Sequence, residues 1–168
     1  MKRLILAAIL AISVSAEADQ FGMTCDVYFS PNGGATQAIV DAVGRAKSSV
    51  FVLAYSYTSK PIADAIIAAK LRGIDVRLIA DDSQLTSNGS KLAVTIASGV
   101  ETYLDRKHSI AHNKTMIIDD AYVVNGSFNF SGAAETSNGE NMMICNNIEQ
   151  ARVFKQNWWL HQSHSVRQ

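Results

Sequence analysis

The sequence predicts an α/β protein: one domain built on a mixed, mostly parallel β-sheet with helices on both of its faces. Segments typical of strands alternate with segments typical of helices, which is the pattern of such folds. Residues 50–55 are apolar at every position, as expected of a central strand covered on both sides. No linker divides the chain, and 168 residues suffice for one substantial core. With 48% hydrophobic and 18% charged residues, the composition excludes a disordered chain.

Local signals predict the elements in order along the chain. Strands are predicted at residues 25–30, 49–57, 74–80, 100–104, 112–118, 122–124 and 141–145. Helices are predicted at residues 36–47, 61–72, 91–98 and 148–161. The second helix has Pro61 in its first turn and stops before Gly73. The dipeptide Asn125–Gly126 predicts a turn after the sixth strand.

Residues 1–18 have the pattern of a secretory signal peptide. A short basic start precedes an apolar run at residues 4–14 and small residues around Ala18, where we predict cleavage. A membrane anchor would need about 20 apolar residues, and this run is shorter. We therefore expect a bacterial protein that is periplasmic or secreted, without stable membrane insertion after cleavage.

The charge balance argues against a global attraction to nucleic acid. Cleavage would remove two basic residues and one acidic residue from totals of 15 each, so the mature chain would carry a net charge of about −1. A polyanion would have to be held by a local patch. We predict that Arg106, Lys107 and His108 bind substrate, because they lie within a few residues of His112.

Two cysteines, Cys25 and Cys145, both lie in predicted strands. An exported protein can form a disulfide between them, but two buried thiols fit the same pattern. The sequence leaves both alternatives open, because it does not place their Cα atoms.

Five residues carry the chemistry needed to cleave a phosphodiester: His112, Lys114, Ser127, Asn129 and Glu140. That reaction needs a nucleophile, neutralisation of the non-bridging oxygens and a proton for the leaving oxygen. A neutral imidazole can attack phosphorus and form a phosphohistidine. The plainer interpretations are that Ser127 and Asn129 only form a turn and that Glu140 is a solvated carboxylate.

The spacing of these residues predicts one site. Lys114 follows His112 by two positions in a predicted strand, so both side chains should point to the same side. Ser127 and Asn129 repeat that spacing at the end of the neighbouring strand. Glu140 is expected to accept the other N–H of the imidazole and so to fix its tautomer. Asp119 is expected to give structural support, because it projects to the opposite strand face beside a turn.

The stretch from residue 111 to residue 145 resembles the phospholipase D superfamily, specifically its small exported bacterial endonucleases. The matching positions are His112, Lys114 and Asp119, then Gly126-Ser127-Phe128-Asn129-Phe130, then Ala133-Ala134-Glu135-Thr136 and Glu140-Asn141. The resemblance implies that residues 19–168 form a phospholipase D-like nuclease domain. It further implies a phosphohistidine mechanism and hydrolysis of DNA with little sequence preference, without a metal or other cofactor.

A single signature predicts a homodimer. Members of this superfamily with two signatures use a histidine from each, whereas His108, His161 and His164 have no lysine two residues later. The simplest solution is a two-fold dimer in which His112 of each subunit faces one phosphate. RNA is a further candidate substrate.

Three other functions remain open on the sequence. The first is a lipid phosphodiesterase, because the superfamily includes phospholipases. The second is a metal-dependent nuclease, for which Asp105, His108 and His112 supply ligand types; however, no helical pattern follows residue 104 to bring them together. The third is a nucleic-acid-binding protein without catalytic activity.

Overall fold

The computed structural model describes residues 24–168, which form one eight-stranded sheet and five α-helices. The strands are β1 (Thr24–Phe29), β2 (Ser49–Ala54), β3 (Asp75–Asp81), β4 (Glu101–Asp105), β5 (Lys114–Ile118), β6 (Tyr122–Gly126), β7 (Asn141–Asn146) and β8 (Val166–Arg167). The helices are α1 (Ala35–Gly44), α2 (Lys60–Leu71), α3 (Leu92–Ala97), α4 (Gly132–Thr136) and α5 (Ile148–Gln162). The predicted signal peptide lies outside the described residues. None of the helices in this part of the chain has the length and apolarity that a membrane span requires.

The strands are ordered β1-β7-β6-β5-β2-β3-β4-β8 across the sheet. The prediction of a mixed sheet is confirmed, but the prediction that it is mostly parallel is wrong. Only the β2–β3 and β3–β4 pairs are parallel, and the other five pairings are antiparallel. Three residues join β5 to β6, which is far too short for the crossover that parallel neighbours need.

Helices cover both faces of the sheet, as predicted, and each face has its own core. Successive side chains of β2 point to opposite faces, so Val50 and Val52 join one core while Phe51 joins the other. Helices α1 and α2 pack on the first face. Helix α5 covers the second, where the fully buried Trp158 packs against Phe51 with ring centroids 4.8 Å apart. All six residues of β2 are buried, which confirms its prediction as a covered central strand.

Two local predictions next to the candidate site are corrected. Strand β5 begins at Lys114 rather than at residue 112. Asn125–Gly126 lies inside β6 instead of forming a turn, because both residues pair with β7. A glycine is needed there, since a Cβ at Gly126 would lie 2.9 Å from the Cα of Met142. The Asn125–Gly126 dipeptide therefore marks a close approach of β6 and β7 and not a turn.

Cys25 and Cys145 form a disulfide, which decides between the two alternatives left open by the sequence. The two residues are direct partners in the β1–β7 ladder. The bridge fastens the edge strand β1 to the rest of the sheet.

Candidate active site

The candidate residues meet at one end of the sheet. Strands β2 and β6 end there and β5 and β7 begin there, because β5 is antiparallel to both of its neighbours and β7 is antiparallel to β6. At or just beyond these strand ends lie Tyr55, His112, Lys114, Ser127, Asn129 and Glu140. The parallel strands β3 and β4 end at the same edge, with Asp81 and Asp105. Polar groups from six strand ends thus share one rim of the sheet.

His112 and Lys114 both lie against the ring of Tyr55. The exposed His112 precedes β5, and its ring centroid lies 4.5 Å from that of Tyr55. The Nζ of Lys114 lies 5.0 Å from the centroid of the same tyrosine ring and donates a hydrogen bond of 2.8 Å to the carbonyl oxygen of His112. Tyr55 is not among the site residues predicted from the sequence. Its signal was an aromatic residue with a polar tip directly after a central strand, at the edge where the candidate residues are expected.

Burial lowers the pKa of the Lys114 ammonium, and the negative charge of Glu140 raises it in part. Lys114 is only 6% exposed, while the neighbouring His112 faces solvent. A cation in a poorly solvated position attracts an incoming anion more strongly than one in water. The arrangement therefore combines an accessible imidazole with a shielded positive charge.

Ser127 and Asn129 follow the end of β6. The hydroxyl of Ser127 donates to Oδ1 of Asn141 at 3.0 Å and accepts from the Asn141 backbone N–H at 3.1 Å. The Oδ1 atom of Asn129 is buried and has no hydrogen-bond partner among residues 24–168. A buried polar atom without a partner is uncommon outside sites that receive a ligand or a water molecule. Asn129 is therefore suited to contact a bound group.

Glu140 does not form the predicted hydrogen bond with His112. Its carboxylate accepts from Nδ2 of Asn138 at 3.0 Å. The reason is its position: Glu140 precedes β7, and β6 separates β7 from β5. Two strand spacings of about 4.8 Å therefore separate their backbones, and the Glu140 carboxylate bonds to Asn138 instead. Within one chain the carboxylate acts on Lys114 through its charge and does not orient the imidazole.

Asp119 lies at the far end of β5 from His112. Its carboxylate accepts hydrogen bonds of 2.7–3.1 Å from the backbone N–H groups of Lys47, Ser48 and Ser49 and from the Ser48 hydroxyl. Burial raises the pKa of the Asp119 carboxyl, but these hydrogen bonds outweigh it and leave the pKa below its usual value. Such contacts hold the segment before β2 against the β5–β6 turn, which is a structural task.

The predicted basic patch is only partly available to a substrate. Arg106 forms an ion pair with Asp82 through Nε at 2.8 Å. Lys107 is exposed and has no ion-pair partner among the residues that the structure describes. The ring of His108 bonds to the Asp105 carboxylate at 2.9 Å. His108 therefore lies with Asp105 and not in a metal pair with His112, and its binding of substrate stays a prediction.

Comparison with known proteins assigns the family. Residues 39–159 match the family model described as "Cardiolipin synthase, PLD-like domain". The chain belongs to the phospholipase D superfamily. This confirms the resemblance found in the sequence and makes the chain a member of a superfamily of phosphodiesterases.

One curated relative in the phospholipase D superfamily is the protein named phospholipase D from Rickettsia felis. It is 38% identical over 130 residues, which cover 77% of this chain and 65% of the relative. The chain therefore spans just under two thirds of the length of that relative.

Two solved structures share the fold almost completely. The phospholipase D family member Nuc from Salmonella typhimurium superposes with a TM-score of 0.82 at 34% identity, covering 87% of this chain and 98% of Nuc. NucT from Helicobacter pylori has a TM-score of 0.79 at 24% identity, covering 86% of this chain and 98% of NucT. The second match shows the fold alone. The match to Nuc confirms that the phospholipase D superfamily includes domains of this size and topology.

Proposed function

We propose that this protein is an endonuclease that hydrolyses phosphodiester bonds of DNA with little sequence specificity and without a catalytic metal. RNA is a second substrate in the proposal. The reaction proceeds through a phosphohistidine at His112, in an active site that two subunits share. The observation that carries the proposal is the exposed imidazole of His112 beside the buried ammonium of Lys114, on a chain with a single such signature.

Two findings favour a nucleic-acid substrate. The chain matches Nuc over 98% of that protein's length, whereas it spans only 65% of the R. felis relative named phospholipase D. The loop before β5 also carries the exposed ammonium of Lys107, which has no ion-pair partner among residues 24–168. Such a cation is suited to a phosphate backbone.

In the first step, a neutral imidazole nitrogen of His112 attacks phosphorus. The P–N bond forms as the P–O bond to the leaving strand breaks. Lys114 and the amide Nδ2 of Asn129 donate hydrogen bonds to the non-bridging oxygens, where negative charge develops. Glu140 keeps Lys114 protonated through its opposite charge. Ser127, fixed by Asn141, adds a hydroxyl contact beside them.

The leaving oxygen needs a proton, and we assign its donor to His112 of the partner subunit. In the second step, that imidazole accepts a proton from water while the water oxygen attacks phosphorus and the P–N bond breaks. The two histidines thus exchange the roles of nucleophile and acid–base catalyst between chemically equivalent positions. A two-fold axis through the bound phosphate satisfies this requirement.

Plasmid cleavage tests the proposal. Wild-type protein should nick supercoiled DNA in excess chelator, and His112→Ala and Lys114→Ala should each lose at least about a thousandfold in rate. Lys60→Ala serves as control, because Lys60 is exposed and its partner is Asp64 within α2. Equal survival of DNA with wild type and His112→Ala would refute the enzymatic function. Loss of cleavage with chelator and recovery with magnesium would refute the metal-independent mechanism.

A lipid phosphodiesterase is the second candidate, and the names of the matched family and of the R. felis relative favour it. The same residues would then cleave a phospholipid head group. Turnover of plasmid DNA should exceed turnover of phosphatidylcholine and cardiolipin vesicles by more than about a hundredfold if the nuclease proposal is right. The reverse ratio would replace it with the lipid function.

Export to the periplasm or medium remains part of the proposal. It rests on the pattern of residues 1–18 in the sequence. Fractionation of expressing cells, with the processed amino terminus read by mass spectrometry, tests it. A full-length chain retained in the cytoplasm would contradict it.

A further inference from the structure

Three histidines converge on one carboxylate away from His112. Asp105 ends β4, His108 follows it by three residues, His161 lies in the last turn of α5, and His164 lies in the turn toward β8. The Oδ2 atom of Asp105 lies 2.9 Å from Nδ1 of His108, 2.8 Å from Nδ1 of His161 and 3.4 Å from Nε2 of His164. These four atoms all lie within 4.8 Å of one another. Residues far apart in sequence thus gather three imidazole nitrogens around one carboxylate oxygen.

The carboxylate is held so that one oxygen faces the imidazoles. The side chain of Asp105 is fully buried. Its Oδ1 atom accepts hydrogen bonds from the backbone N–H groups of Lys107 at 3.0 Å and of His108 at 3.3 Å. These bonds leave Oδ2 for the three rings. Backbone support of this kind is typical of the partners that orient a metal-binding carboxylate.

We propose that Asp105, His108, His161 and His164 bind a zinc ion. Three imidazole nitrogens and one carboxylate oxygen form a complete tetrahedral ligand set for Zn²⁺. Zinc–ligand bonds of about 2.0–2.1 Å separate tetrahedral ligand atoms by about 3.3 Å. The spread of up to 4.8 Å requires side-chain adjustments of about an ångström. His108 is 43% exposed and the other two rings are 12% and 15% exposed, so the ion can enter from the side of His108.

The proposed ion has a structural task. Four protein ligands fill a tetrahedral coordination sphere and leave no position for a reactive water, which is the mark of a structural zinc site. The ion would join the end of β4 and the end of α5 to the loop that leads to His112. The same loop is already fastened at Ala111, whose N–H donates to Asp81 at 2.7 Å. Zinc would therefore stabilise the segment that carries the nucleophile without touching the substrate.

Metal binding and thermal unfolding of the untagged protein test this proposal. After treatment with chelator and dialysis against zinc chloride, elemental analysis should find about one zinc per chain. Zinc should raise the melting temperature of wild type. His161→Ala and His164→Ala should each weaken zinc binding by more than about tenfold and abolish that rise. Cobalt in place of zinc should give the visible absorption of a tetrahedral site.

Controls separate this site from the active site and from a folding defect. His112→Ala should bind zinc as tightly as wild type, because His112 is outside the cluster. His108→Ala replaces the most exposed ligand, and its circular dichroism without metal should match that of chelated wild type. Wild type that binds no zinc, or a His108→Ala variant that is folded and binds zinc as wild type does, would overturn the proposal. If His112→Ala were the only variant that failed to bind zinc, the metal would lie in the active site. That result would overturn both this assignment and the metal-independent mechanism.

Discussion

Lys114 is the residue whose surroundings set the charge of the candidate active site. Burial lowers the pKa of its ammonium, while Glu140 opposes that change through its charge. In the proposed mechanism the protonated form binds phosphate oxygens, so cleavage should fall as pH rises through the pKa of Lys114. On this proposal Glu140 affects the reaction through Lys114, although β6 lies between β5 and β7 in the sheet.

Replacing Glu140 with Gln should move the alkaline limb of the kcat/KM profile to lower pH. The variant removes the negative charge that raises the Lys114 pKa, so the ammonium loses its proton earlier. Rates of plasmid nicking across the alkaline range measure the limb. Glu149→Gln is the control, because Glu149 is exposed on α5 and pairs with Arg152. An unchanged limb in Glu140→Gln would show that the two groups do not interact.

Asp119→Asn should lower the free energy of unfolding by about 1–3 kcal/mol at neutral pH, because charge-assisted hydrogen bonds are lost. The folded pKa of Asp119 lies below the unfolded one, so its contribution is present above about pH 4 and is lost as pH falls through the folded pKa. Urea unfolding near pH 7 and near pH 3 should therefore show a smaller difference between variant and wild type in acid.

The neighbouring residue provides a matched control for Asp119. Asp120 also has a positive φ of 54°, which asparagine tolerates, but its carboxylate is exposed and bonds to Lys155. Asp120→Asn should cost less than about 1 kcal/mol, since exposed ion pairs contribute little. Equal losses in both variants would contradict the structural task assigned to Asp119.

Among the elements, β1 depends on a covalent link as well as on its ladder. Within residues 24–168 it pairs with β7 alone, and its Val27 and Phe29 are exposed. An edge strand with little apolar burial gains little from the core. The Cys25–Cys145 bridge holds it across a sequence separation of 120 residues.

Replacing both cysteines with serine should reduce the free energy of unfolding by about 2–5 kcal/mol, because the unfolded chain gains the freedom of a long loop. Denaturant titration measures the loss. A reducing agent should destabilise wild type to a similar extent and leave the double variant unchanged. Equal stability of oxidised and reduced wild type would contradict this role of the bridge.

At the scale of elements, the sequence predicted what depends on neighbours along the chain. Pro61 and Gly73 correctly predicted the ends of α2, because helix starts and stops depend on local backbone chemistry. The direction of the strands was not predictable in the same way. The direction of a strand depends on its partners in the sheet. Strand β5 pairs with β6, which follows it in the chain, but also with β2, which lies three strands earlier.

For the whole molecule, the central prediction concerns the number of His112 rings in each active site. If both subunits contribute one, mixtures of wild type with inactive His112→Ala should show activity that falls with the square of the wild-type fraction after subunits exchange. An equal mixture should then keep about a quarter of the activity, and a monomeric site would keep about half. A linear dependence would contradict the shared site. Full activity of a protein that light scattering shows to be a monomer would contradict it as well.

The sequence was sufficient to identify the superfamily of this protein. The spacing of His112, Lys114, Ser127 and Asn129 indicated the superfamily and the candidate residues, because a short signature records which groups a reaction needs. It also indicated that Asp119 is structural, from its offset along one strand.

Contacts between residues far apart in the chain could be found in the tertiary structure alone. Tyr55 lies against His112 because β2 and β5 are neighbours, and His161 and His164 reach Asp105 because α5 returns the chain to the end of β4. It likewise separated Glu140 from His112 by one strand. Contacts of this kind depend on strand order and helix packing, which arise from burial of the whole chain and leave no periodic signal in a local stretch of sequence.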